Sequence, residues 1–176
     1  ASIMGAKFLD ANGVGTLGRN LGLTESCSLE FDLSWSGYFS LSFIMFTDAV
    51  DRFDYSVSSY MFHMAPGYVT LQRVQTGTGV MSLGHQAQVP DMLKKNKVRI
   101  EIRVNREDAT IAMLMDGVPV SQWKDHAGFV AKGKGIVFST QMDGSIVKIS
   151  RIRAAEWNGA IEPRPAAAAP ADEDLV

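Results

Sequence analysis

Glu30 and Asp32 are the first residues whose spacing could do chemistry. They stand two apart in the run CSLEFDLSW, and residues two apart on an extended strand share a face. Two carboxyl groups about 5 Å apart on one side of a bond are what retaining glycoside hydrolysis requires. Glu30 and Asp32 are therefore the candidate catalytic residues. No third acid continues the pattern, because position 35 is Trp35. Alternating acids are usually how an ordinary strand meets water, so a solvent face is the favoured reading.

A second group of oxygens lies in FTDAVDRFD. Asp48, Asp51 and Asp54 fall in a segment that reads as a loop. Calcium takes several oxygen ligands, and acidic loops supply them. These three are the candidate calcium ligands, but their spacing matches no EF-hand, so a solvated loop is the favoured reading and no cofactor is expected. His63, His85 and His126 show no HExxH spacing, and no Gly-x-Ser-x-Gly elbow occurs. The glycine-rich GVGTLGRNLG lacks the strand–helix context of a dinucleotide site and reads as a flexible crossing between strands. Cys27 is the only cysteine. It excludes an internal disulfide or a cysteine-rich metal site, and its place among apolar residues reads as an inert buried thiol.

Binding chemistry is better represented than catalysis. Ser40, Ser42, Ser56, Ser58, Tyr60, Arg73, Arg99, Glu101 and Arg103 alternate with apolar positions. On one shared concave sheet they would present hydroxyls, an aromatic ring and guanidinium groups, which suit hydroxyl-rich or anionic ligands. The same residues on separate faces would be solvated positions with cross-strand ion pairs. Trp123, beside Lys124, Asp125 and His126, either stacks on a sugar ring or covers the rim of the fold. The candidate ligand-binding residues are thus Tyr60, Arg73, Arg99, Glu101, Arg103, Trp123 and His126.

The elements that must position these groups are strands. In CSLEFDLSW, Cys27, Leu29, Phe31, Leu33 and Trp35 fall on one face and polar residues on the other. YFSLSFIMF, KVRIEIRVN and ATIAMLMDG repeat the alternation. Val98, Ile100, Ile102 and Val104 are expected inside, with Arg99 and Arg103 outside. Turns are expected at Pro66-Gly67, Arg106–Asp108, Asp116-Gly117 and Asp143-Gly144. About ten or eleven strands fit, with one short helix at most near Pro90–Lys95. The spacing predicts an all-β, two-sheet antiparallel sandwich.

Length and charge narrow the classes further. The chain has 176 residues, enough for one domain with a sizeable core, and a net charge of −2. Nucleic-acid binding is disfavoured by that balance. No apolar run is long enough to cross a membrane as a helix. Charge is uneven: residues 1–90 carry −3, residues 91–153 carry +5 and the last 23 carry −4. After Gly159 the composition changes to AIEPRPAAAAPADEDLV, which has little to bury and reads as a linker or tail. A sandwich domain over 1–159 and a Pro/Ala/acidic segment over 160–176 are expected.

The order KVRIEIRVNREDATIAMLMDGVPVSQWKD, GKGIVFSTQ, SIVKISRIRAAEW resembles the end of a concanavalin A-like, laminin-G-like jelly roll. It is also similar to the 3-keto-disaccharide hydrolase group of β-sandwich domains. The resemblance covers residues 26–157 and rests on strand order and turn placement. It implies a jelly roll and, first, a non-catalytic module binding carbohydrate or a cell-surface partner within a larger bacterial-type protein. A hydrolase acting on a glycoside or keto-sugar, and a structural spacer, are the alternatives it leaves. It further implies an exported, periplasmic or cell-surface setting.

Overall fold

A computed structural model describes residues 6–9, 15–37, 39–89, 95–140 and 146–157. Thirteen strands lie among them. They are β1 (Ala6–Leu9), β2 (Gly15–Asn20), β3 (Ser26–Ser36), β4 (Leu41–Thr47), β5 (Ser59–Ala65), β6 (Gly67–Gln75) and β7 (Gly79–Ser82). Then follow β8 (Ala87–Val89), β9 (Lys97–Asn105), β10 (Thr110–Met115), β11 (Val118–Lys124), β12 (Gly135–Thr140) and β13 (Ile146–Glu156). One sheet, A, runs β1-β13-β3-β9-β10-β11. The other, B, runs β2-β12-β4-β5-β6-β7, with β8 also paired to β6. The pairings are antiparallel throughout. The chain is an all-β, two-sheet jelly-roll sandwich.

Alternation produces this arrangement. β3 buries every second residue, from Cys27 to Trp35. β9 buries Val98, Ile100, Ile102 and Val104, as expected. These faces meet the inward faces of sheet B across an aromatic centre. Phe31 lies edge-on to Phe43 at 5.6 Å and to Phe138 at 5.1 Å, and Phe43 stacks on Phe62 at 4.8 Å. Trp35 packs on Phe39 at 4.5 Å. Such pairs add to the area term that holds the sheets together.

Three bulges adjust the register. Phe46 is the extra residue of β4 against β12, at φ 63°, and turns its ring into the core. Arg151 plays the same part in β13, at φ 54°. The third falls in β11, against Met113/Leu114. The Asp116-Gly117 hairpin has φ of 51° and 80°, the signature of a type I′ turn.

Several expectations need correction. GVGTLGRNLG is not only a crossing: its residues 15–20 form β2, paired with β12. A single register of small and polar residues there hid the strand. Thirteen strands replace ten or eleven because short edge strands such as β7 and β8 lack a long alternation. Arg103 is 2% exposed rather than solvated. The expected Asp143-Gly144 turn, the helix apart from Lys95, and the segment 160–176 lie outside the described residues.

Candidate functional site

The predicted binding residues divide among three places. Tyr60, Arg73 and Trp123 point inward. The Tyr60 hydroxyl donates to Asp125 Oδ2 at 2.8 Å, and Arg73 Nη1 donates to Asp125 Oδ1 at 2.6 Å. Asp125 Oδ1 also accepts the Ala127 amide, while the Tyr60 oxygen accepts the Val130 amide at 3.1 Å. Burial is the main cause holding the Tyr60 phenol well above its ordinary pKa. Trp123 is 4% exposed, edge-on to Phe62, and donates to the His85 carbonyl at 3.3 Å. Tyr60, Arg73 and Trp123 are therefore corrected from ligand contacts to core members, because each finds its polar partner inside. Only His126, of this group, is exposed. The cluster fastens the 125–134 loop to β5 and β6 of sheet B.

Arg99, Glu101, Arg103, Glu30 and Asp32 share the outer face of sheet A. Arg99 spans two acids: Nη1 donates to Asp32 at 2.7 Å and Nη2 to Glu30 at 3.0 Å. Burial opposes its charge, but these bonds outweigh burial and hold its pKa above the ordinary value. Arg151 takes the second Asp32 oxygen at 3.3 Å. Glu30 and Asp32 thus serve as acceptors in an ion-pair array. Arg103 donates to Glu101 at 2.9 Å and lies 5.4 Å from the Trp157 ring centroid, which explains its burial.

Asp48, Asp51 and Asp54 go to different partners. Asp48 accepts the Lys134 amide, Asp51 pairs with Arg52, and Asp54 accepts the Ser56 amide and hydroxyl as well as Arg52. The Ser56 bonds hold the Asp54 carboxyl below its ordinary value. No group of three or more His, Cys, Asp or Glu able to hold a metal occurs among the described residues.

This 48–58 loop has another effect. It folds back over the outer face of sheet B. A Cβ at Gly18 would collide with the Val50 carbonyl, and one at Gly135 with the Val50 side chain. Phe53 packs on Ile44, Met61 and Val74, an outward-facing cluster from β4, β5 and β6. The apolar half of the face is thereby covered.

The other half is polar. Register pairs Ser42 with His63 and His63 with Thr70, one row across β4, β5 and β6. All three are half-buried, and alternation with the core residues Phe43, Phe62, Val69 and Leu71 turns them outward. Ser42 Oγ and His63 Nδ1 share a hydrogen bond of 2.9 Å. The Tyr68 ring lies 6.1 Å from the imidazole, and the next row pairs Tyr68 with Gln88. Burial lowers the His63 pKa. An aromatic ring bordered by hydroxyl, imidazole and amide groups can stack on the C–H side of a sugar and hydrogen-bond its hydroxyls. Of these residues only Ser42 was legible beforehand as a surface hydroxyl. The remainder are scattered over 26 positions, from His63 to Gln88, without a motif.

The sequence matches no protein-family model and no curated protein. Its fold has clear relatives. A legume lectin-like domain from Entamoeba histolytica superposes with a TM-score of 0.65 at 9% identity, covering 89% of this chain and 84% of that one. A tetrameric galectin from the ball sponge Cinachyrella gives 0.62 at 8%, covering 81% and 99%. The carbohydrate binding module CBM66 from Bacillus subtilis gives 0.58 at 10%, covering 84% of each. The fold is the concanavalin A-like jelly roll.

Proposed function

We propose that this jelly roll is a carbohydrate-binding module whose site is the open half of the sheet B outer face. The observation that carries the reading is the Ser42–His63–Thr70 row beside the Tyr68 ring. It offers stacking and hydrogen bonding together at a solvent-facing position, the two requirements of recognising a pyranose. The lectin and binding-module relatives support the class of ligand.

In this reading the domain works by binding, as an exported module of a larger bacterial-type chain. Among the described residues no helix is long and apolar enough to cross a membrane. Glycan-array screening followed by calorimetry tests the function. Tyr68→Ala and His63→Ala are each expected to weaken the best neutral glycan about tenfold or more, a change of roughly 1.4 kcal/mol. Unchanged affinity in both variants would place binding elsewhere and overturn the site; silence across the array would overturn the function.

A further inference from the structure

The edges of the two sheets are mostly covered or guarded. β1 lies against β2, and β8 against β11. β11 also carries Pro119, Lys124 and a bulge, devices that keep an edge strand from pairing with another chain. β7 has none of them. It pairs with β6 alone among the described residues. Its surroundings, TGTGVMSLG over residues 76–84, contain no charge and no proline. Every residue of the strand is exposed, Val80 at 47% and Met81 at 53%.

Register fixes which backbone groups this edge offers. The Leu83 amide donates to the Leu71 carbonyl at 2.9 Å. The β6–β7 pairing continues that ladder with Ser82 opposite Gln72, Met81 opposite Arg73 and Val80 opposite Val74, without a shift. Alternate residues of an antiparallel strand turn their amide and carbonyl the same way. Leu83 and Met81 thus face β6, while Val80 and Ser82 face away from it. The outward amides and carbonyls of Val80 and Ser82 have no backbone partner among the described residues. Between them, Met81 is held by Arg73, whose Nη2 donates to the sulfur at 3.3 Å.

We infer that β7 is a self-association edge whose partner is β7 of a second copy of this chain, laid antiparallel with Met81 opposite the partner's Met81. The spacing of the outward groups makes the strand complementary to itself. Val80 exchanges both of its backbone hydrogen bonds with the partner's Ser82, and Ser82 does the same with the partner's Val80. The methionines form the close, non-hydrogen-bonded pair between them, with Cα atoms about 4.5 Å apart. No other register pairs every outward group of both strands. The two-fold axis stands perpendicular to the sheet, so sheet B continues across it and the outer faces of both copies point the same way. Such an isologous contact closes at a dimer and builds no fibre. Its short strands place it in the weak, transient class of interfaces. The pairing does not depend on sugar binding at the Tyr68 face.

Sedimentation equilibrium on the full chain, from micromolar to millimolar concentration, tests this, and a monomer–dimer equilibrium is expected. Val80→Pro removes a donor aimed at the partner and spares the β6 ladder. It should weaken the dimer about tenfold, because each copy loses one hydrogen bond. Met81→Lys should also weaken it, since like charges would stand directly opposite one another. Val118→Lys, at an exposed apolar residue of β11, is the control for unspecific association and should change nothing. Unaltered melting curves establish that the variants fold. Met81→Cys reads the register itself. Mild oxidation should cross-link it to the partner's Cys at the same position, because that Cα spacing suits a disulfide and Cys27 is buried. Three results would overturn the assignment: a chain still monomeric at millimolar concentration, a dimer equally strong in both β7 variants, or a dimer in which Met81→Cys does not cross-link.

Discussion

The hydroxyl of Tyr60 and the carboxylate of Asp125 meet over 2.8 Å inside the sandwich, although 65 residues separate them in the chain. Arg73 completes the contact, with both ends of its ion pair almost fully shielded from water. Removing Asp125 strands a buried guanidinium. Asp125→Ala is expected to destabilise the domain by about 3–5 kcal/mol, read from urea unfolding. Arg73→Met combined with Asp125→Leu should lose much less, since it removes both charges. A loss below about 1 kcal/mol in the single variant would show that the pair is not a fastening.

Cys27 should be chemically silent in the folded protein. It is 1% exposed, and burial pushes its thiol up to about 11, against the opposing charge of Arg106. Thiolate is the reactive form. Labelling by a maleimide at pH 8 should therefore follow the denaturant unfolding curve. Rapid modification under native conditions would contradict the burial.

His63 predicts a dependence on acid. Burial lowers its pKa below the ordinary 6.5, so the folded state binds this proton less readily than the unfolded chain. Its contribution to stability is fully present above pH 6.5. It is lost as pH falls through the folded-state pKa. Melting temperature and neutral-glycan affinity should both fall over that window, and His63→Asn should flatten the His63 part of the melting profile. An identical profile in the variant would assign the acid sensitivity to other groups.

Gly18→Ala tests the loop over sheet B. The added methyl meets the Val50 carbonyl, and overpacking of this kind costs about 1–3 kcal/mol. The variant should also expose the Phe53 cluster, seen as increased binding of a hydrophobic dye and faster proteolysis between residues 48 and 58. Unaltered proteolysis would mean that the loop yields without lifting.

The sheets were legible because burial follows alternation: Leu29, Phe31 and Leu33, or Ile100 and Ile102, could face only one way. The site was not. Tyr60 and Arg73 alternate as a polar face would, yet each finds Asp125 from another element, and no local pattern announces a partner 52 or 65 positions away. Arg103 misled for a similar reason, since its cover, Trp157, comes from beyond the last strand. His63 and Tyr68 carry no motif of their own. Only the register of β4, β5 and β6 brings them beside Ser42 and Thr70.

If the proposed carbohydrate site on sheet B is the binding site, the 48–58 loop would also set how much of a polymer the domain can hold. Outward position 63 of β5 remains beyond the Phe53 cluster, as do 68 and 70 of β6, while Ala65 is itself covered. Two such positions span about 7 Å along a strand, room for one or two sugar rings. A saccharide advancing along β5 towards Met61 would meet Phe53 as a wall. On that proposal the open face would act as a cul-de-sac, suited to chain ends and short oligosaccharides, while the interior of a long polysaccharide would have to cross the strands to settle there.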